Sequence, residues 1–237
     1  MSSEIEHIEY DRDINPYPSF GKKYNGEKAV ISMTSWSARI STCSKTIFSL
    51  LKQCPGFHIV LVLSEEEFPK MMDELPDNLK LFVDNELIEV LWVYKNYKAF
   101  KKWAFTSDKY RNVPIISADD DCIYTCNYAQ ILYNKWLKEN KKNSIRWSNY
   151  KEFIQKPSGA SHLYYMIPNA ITFIKSLSEK TINKSDDDEL FGQYFRKIKI
   201  NCSYITNNND KPFLFHDEIN ALHNFKKIKI YKKCYGK

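Results

Sequence analysis

The chain has 237 residues, 43% hydrophobic and 27% charged, enough for a packed core and too apolar for disorder. Six glycines exclude fibrous and linker-dominated designs, and no apolar run approaches the ~20 residues of a membrane helix. Lys and Arg number 35 against 29 Asp and Glu, a net charge of +6 that permits an anionic partner without demanding one.

The polar, acidic stretch from Met1 to Asp13 does not read as a secretory signal, and the six cysteines form no CxxC pair. Both features are expected of a cytoplasmic protein with reduced thiols. Cys122 and Cys126 would share a face if a helix ran through them. A metal there would need two more soft ligands, so they read as small, semi-buried residues.

In chain order, KAVISMT at 28–34 is fit for a buried strand. A helix is expected over 41–53, with Ile47, Leu50 and Leu51 at helical spacing, hydroxyl residues to cap it and Cys54-Pro55-Gly56 to stop it. HIVLVL at 58–63 and LIEVLWV at 87–93 are further strands, and His58 reads as structural. A helix over 100–110 leads to a strand at 113–117, entered through Pro114. This rhythm predicts an α/β fold, a mixed, mostly parallel sheet flanked by helices.

The second half is less regular. It predicts a helix over 128–140, strands at 143–150 and 160–167, a helix opened by Pro168 and another over 186–198. Asn207 to Asp210 is a loop, and KKIKIYKKCYGK at 226–237 is a basic tail. That tail reads either as a solvated edge strand or as a peripheral contact with an anionic membrane. No repeat or linker divides the chain, so one domain is expected over 1–237.

The most informative segment is PIISADDDCIY at 114–124, an apolar strand running into Asp119, Asp120 and Asp121. Ligands of open α/β sheets bind at the carboxyl ends of strands. Three adjacent acids repel one another unless a cation compensates, and oxygen ligands suit Mg2+ or Mn2+ shared with a phosphate. The bland alternative is a solvated acidic turn. A second acidic run, Asp186 to Glu189, opens a helix, where carboxylates also occur simply to satisfy the helix terminus. Together the two runs could divide the work, one holding a metal and the other supplying a general base.

Basic residues would complete an anion site: Arg39 in the loop after Thr34, and Lys98, Lys101 and Lys102 in YKNYKAFKKW. For Lys101 and Lys102 an exposed helix face is the alternative. His216 and His223, late in the chain, are candidates for a further metal ligand. No GxxxxGK[ST], GxGxxG, GxSxG or HExxH is present, against P-loop, dinucleotide-binding, serine-hydrolase and zincin chemistry.

Taken together, VISMTSWSARI at 30–40, HIVLVLSEEEFP at 58–69, Leu75-Pro76, YKNYKAFKK at 94–102 and PIISADDDCIY resemble bacterial GT-A-type glycosyltransferases that build capsule, O-antigen or lipooligosaccharide. The resemblance runs from about residue 29 to 192, and it implies a nucleotide-binding half at about 28–125 and an acceptor-side half at about 126–225. It implies a GT-A-like fold and transfer from a nucleotide-sugar donor, a UDP-sugar favoured, to a glycan or lipid-linked saccharide. It implies that Asp121 binds the divalent metal, with Asp119 and Asp120 near the ribose and sugar. Thr34, Arg39, Lys101 and Lys102 fall to the donor side. Ser158 to Pro168 is similar to the family's glycine-rich acceptor-side segment, with Gly159 its one glycine, and Asp187-Asp188 look like the paired acids that supply the base in inverting members. The alternatives are a sugar-phosphate nucleotidyltransferase, against which TSWSARI offers no glycine, and a non-catalytic basic protein binding lipid or nucleic acid, which leaves the acids unexplained. No nucleic-acid partner is therefore expected.

Overall fold

Strands buried on both faces must alternate between two cores, and the central strands of this chain do. A computed structural model describes residues 17–53, 55–141, 143–147, 162–164, 170–185, 187–205 and 213–216. Its elements in chain order are β1 (Ser19–Gly21), β2 (Ala29–Thr34), α1 (Cys43–Leu51), β3 (Phe57–Ser64), α2 (Asp77–Asp84), β4 (Glu89–Val93), α3 (Lys101–Lys109), β5 (Ile115–Ala118), β6 (Cys122–Tyr124), α4 (Tyr128–Lys138), β7 (Ser144–Trp147), β8 (His162–Tyr164), α5 (Ala170–Ser176), α6 (Glu179–Lys184), α7 (Asp187–Lys197), β9 (Cys202–Ile205) and β10 (Phe213–His216). Among the described residues, no helix is long and apolar enough to cross a membrane.

The main sheet has the order β1-β4-β3-β2-β5-β8-β7-β9. Its centre, β4-β3-β2-β5, is parallel, while β1 and β8 run antiparallel to their neighbours. On one face Ile31, Met33, Leu61 and Leu63 pack with Ile47 and Leu50 of α1, Leu79 of α2 and Leu132 and Trp136 of α4. On the other, Val30, Val60 and Val62 meet Trp103 of α3, Ile174 of α5, Ile182 of α6 and Phe191 of α7. The period of two in β2 and β3 thus splits the apolar residues between two layers. Beside the sheet, β6 and β10 form a separate antiparallel pair.

The predicted elements lie where the sequence places them, most with shorter ends, though β3 runs one residue further at each end and β5 one further at its close, and residues 148–150, 160–161 and 165–168 lie outside the described residues. The expected N-cap fails: Thr42 precedes α1 without a side-chain bond to the helix, and its hydroxyl donates instead to Arg39 O. Cys122 lies on β6, so no helix joins it to Cys126. The short strands β1, β6, β9 and β10 and the helices α2 and α6 were not expected. β1 closes against β4 through Gly21, where φ is +88° and a Cβ would stand 2.4 Å from Ile88 O. The loop at 207–210, the tail at 226–237 and Gly159 lie outside the described residues.

Where β3 and β4 begin, a buried polar cluster replaces apolar packing. The Glu89 carboxylate, 3% exposed, contacts His58 Nε2 at 2.7 Å and accepts from Lys109 Nζ at 2.5 Å and from the Tyr110 hydroxyl. His58 is therefore structural, as expected. Burial alone would raise the Glu89 pKa, but the bonds from His58, Lys109 and Tyr110 outweigh it and hold it down to about 2. Because the folded value lies below the unfolded one, its stabilisation is present above the ordinary glutamate range and lost as pH falls toward 2. Glu89→Gln is expected to cost about 3 kcal/mol at neutral pH and to flatten the loss of stability between about pH 4.5 and 2, measured by urea unfolding. An unchanged acid limb would assign that loss to other carboxylates.

Candidate functional site

The connections of the central sheet create the site. From β2 the chain moves outward to β3 and β4, then returns to β5 on the opposite side of β2. The loops that leave β2 and β5 therefore part company at their carboxyl ends, the crevice where open α/β sheets bind ligands. A cavity of about 360 Å³ lies there. Thr34, Ser35, Trp36 and Arg39 line it from the β2 loop, and Asp119 and Asp120 from the end of β5. Glu67, Asn96 and residues 98–102 add a wall from beyond β3 and β4. Ile182, Asn183 and Ser185, at the end of α6, close it.

The strand end is an array of paired charges. Asp120, 4% exposed, accepts from Ser35 Oγ at 2.6 Å and from Arg39 Nη2 at 2.8 Å. Arg39 Nη1 reaches Asp121 at 2.5 Å. Asp119 accepts from Lys102 Nζ at 2.6 Å, while its backbone N–H donates to Tyr124 Oη at 2.8 Å. Lys102 is fixed in turn because Ser32 Oγ, inside β2, donates to its carbonyl at 2.7 Å and seats α3 on the sheet. Burial outweighs Arg39 in setting the Asp120 carboxyl, which is pushed up to about 6. Burial opposes the Arg39 charge as well, but Asp120 and Asp121 more than offset it and raise the guanidinium above its ordinary value.

Lys101 and Lys102 are not an exposed helix face: they are 1% and 3% exposed. Burial lowers the Lys101 pKa to about 8, against the pull of Glu67. Asn96 organises this wall. Its Oδ1 accepts from Lys98 N at 2.9 Å and Lys101 Nζ at 2.8 Å, and its Nδ2 donates to Glu67 Oε2 at 3.0 Å. This Asx-type turn carries Lys98 at φ +54°, a left-handed conformation uncommon for a lysine.

Thr34, Arg39, Lys101, Lys102, Asp119 and Asp120 thus meet at one cavity. Thr34 Oγ1 donates to Val62 O at 2.6 Å, so toward a ligand it offers an acceptor. Asp121, on the same guanidinium as Asp120, does not itself line the cavity. Asp187 and Asp188 open α7, two and three residues after the cavity-lining Ser185. His216 lies on β10 in register with Cys122, the residue after Asp121, whereas His223 lies outside the described residues. Sequence reasoning missed Ser35, Glu67, Asn96 and the α6 residues. The first three stand inside the motif blocks, but α6 carries no motif.

Among the described residues, no three His, Cys, Asp or Glu side chains converge as a metal cluster. The donor chemistry nevertheless fits Mg2+ or Mn2+, since Asp119 brings a carboxylate to the cavity and Asp121 stands beside it.

No protein-family model matches the chain, and no curated protein matches it by sequence. Solved structures match its fold. A mannosyltransferase from Pyrobaculum calidifontis, in complex with GDP-Man and Mn2+, matches with a TM-score of 0.56 at 7% identity, over 79% of this chain and 57% of that one. TarS 1–349 of S. aureus gives 0.52 at 13% identity, over 78% and 59%. A cytidylyltransferase from Leptospira borgpetersenii gives 0.53 at 10% identity, over 90% and 88%. This chain thus spans less than two thirds of the mannosyltransferase and TarS chains. The fold is a single GT-A-like α/β domain, of a kind shared by glycosyltransferases and nucleotidyltransferases.

The charge array generates a stability prediction. Arg39→Met leaves Asp120 buried without its guanidinium and is expected to cost about 3–5 kcal/mol in urea unfolding. Arg39→Met combined with Asp120→Asn should recover much of that loss, and strict additivity would show that the two are not coupled.

Proposed function

We propose that the chain is a metal-dependent glycosyltransferase that moves a sugar from a nucleotide-sugar donor, a UDP-sugar favoured, to a hydroxyl of a glycan or lipid-linked saccharide, with inversion. One observation carries this reading: at the switch point of the sheet a single cavity joins strand-end carboxylates to two buried lysines and an arginine. Such a surface suits a diphosphate joined to a hydroxyl-rich sugar. The carboxylates accept hydrogen bonds from ribose and sugar, and the cations face the phosphates.

Asp121 and Asp119 are the residues proposed to hold Mn2+ or Mg2+, with His216 or His223 as a further ligand. A bound divalent cation neutralises charge on the leaving diphosphate. Asp119 and Asp120 orient the donor, and Arg39 and Lys102 keep those carboxylates in place. Asp187 or Asp188, at the start of α7, takes the proton of the acceptor hydroxyl as its oxygen attacks the anomeric carbon. Surface-polysaccharide synthesis in the cytoplasm, with the basic tail resting on an anionic membrane, is the setting we assign.

A second reading, a sugar-phosphate nucleotidyltransferase, is favoured by the 88% of the cytidylyltransferase chain that this fold spans. Such an enzyme consumes an NTP and releases pyrophosphate. A thermal-shift panel of nucleotide sugars, and of NTPs with sugar phosphates, with and without Mn2+, separates the two. Stabilisation by a nucleotide sugar, with nucleoside diphosphate as product, is expected. Asp188→Asn should retain donor binding and lose about 10²–10⁴-fold in turnover. Unchanged turnover would remove Asp188 as the base.

A further inference from the structure

Four cations line the cavity, and the three that are not exposed, Arg39, Lys101 and Lys102, are not equivalent. Arg39 lies against Asp120 at 2.8 Å and Asp121 at 2.5 Å, and Lys102 against Asp119 at 2.6 Å. Each of the two has a carboxylate within hydrogen-bond distance. Lys101 does not. Its ammonium group has Asn96 Oδ1 at 2.8 Å, and its nearest carboxylate, Glu67 Oε2, stands at 3.8 Å. An ammonium carries three N–H donors, and this one, 1% exposed, has one hydrogen-bond partner among the described residues.

Leaving donors of a buried charge unmet is costly, and stable folds satisfy them. Lys101 lines the cavity, so the cavity is where its remaining donors find a partner. The group is also held in place. Asn96 is locked by Lys98 N and by Glu67, which itself accepts from Ser37 N at 3.2 Å. Burial makes the ammonium respond strongly to an arriving negative charge, since opposite charges attract most in a poorly solvated pocket.

We propose that Lys101, rather than Arg39 or Lys102, is the cation that grips the diphosphate of the donor and carries the charge that grows as the sugar leaves. Asn96 and Glu67 are its positioning residues. This rests on the glycosyltransferase reading of the cavity. In the step it serves, the bond between the anomeric carbon and the distal phosphate oxygen breaks, and both electrons stay on that oxygen. The acceptor oxygen forms the new bond, and its proton passes to the carboxylate at the start of α7. Preorganised positive charge beside the departing group lowers the barrier without reorganisation.

The test is calorimetric titration of the full chain in Mn2+ with UDP, GDP, CDP, inorganic pyrophosphate and the parent nucleosides. Lys101→Met removes a buried charge at nearly constant chain length, and Lys101→Gln serves where Met does not fold. Either is expected to weaken the diphosphates and pyrophosphate about 10- to 100-fold while leaving nucleoside affinity unchanged. Thermal stability should be unchanged or higher, whereas a purely structural lysine would lower it. Asn96→Ala should weaken the same probes by a smaller factor. Diphosphate binding within twofold of wild type in both Lys101 variants, or equal loss of nucleoside binding, would overturn the assignment and leave the glycosyltransferase reading intact. Wild-type protein that binds none of these probes would overturn both.

Discussion

Three carboxylates at the mouth of a buried strand repel one another, and the structure around them exists to compensate that repulsion. Asp120 is almost wholly buried, yet Ser35 and Arg39 supply it with two donors. Arg39 serves Asp121 with its other terminal nitrogen, and Lys102 serves Asp119 from α3. A charge buried without such partners costs several kcal/mol, so these contacts are conditions of folding as well as of chemistry. They dictate local structure in turn. The β2 loop winds tightly, with Arg39 N and Ile40 N both bonded to Trp36 O, and this turns the guanidinium toward the end of β5. On the other side, the Ser32 bond to the Lys102 carbonyl registers α3 against β2.

The sheet divides its two ends between different tasks. Where β3 and β4 begin, His58, Glu89, Lys109 and Tyr110 form a polar knot among residues that do not line the cavity. There the carboxylate is held far below its usual range because its partners outweigh burial. At the carboxyl end the balance runs the other way for Asp120, whose pKa rises to about 6 although Arg39 adjoins it. The difference lies in how far partners offset burial: His58, Lys109 and Tyr110 outweigh it at Glu89, whereas Arg39 and Ser35 do not at Asp120, where Asp121 and Asp119 add to the rise. Paired but imperfectly compensated acids are a mark of sites that await a ligand.

Much of this was legible in the sequence, for stated reasons. The strands β2, β3 and β4 were readable because a parallel strand buried on both faces is a continuous apolar run, as in HIVLVL. The acidic triplet was readable because charge directly after such a run must be accounted for. One expectation failed instructively. Thr42 is a hydroxyl residue ahead of α1, but its hydroxyl bonds back to Arg39 O, since the turn before the helix needs it more. For Lys101 and Lys102 spacing left an exposed helix face open beside an anion site, and packing, which buries both, removes the exposed face. Asn96 and the α6 residues were silent because their roles arise from contacts between distant segments: Asn96 and Glu67 are 29 residues apart, and α6 reaches the cavity through tertiary packing of Ile182.

One scaffold serves glycosyl and nucleotidyl transfer, so the location of available positive charge is more telling than the fold. Nucleotidyl transfer calls for a flexible, glycine-rich, cationic loop after the first central strand, able to wrap a triphosphate. Here that loop has no glycine, and its one cation is committed to Asp120 and Asp121. Among the buried cations, the one less tightly paired lies across the cavity on α3, where Asn96 fixes it. A rigid, single-sided cation suits a diphosphate that departs from a sugar better than a triphosphate that must be enclosed. The arrangement of charge, more than the sheet that carries it, is what supports the proposed glycosyl transfer.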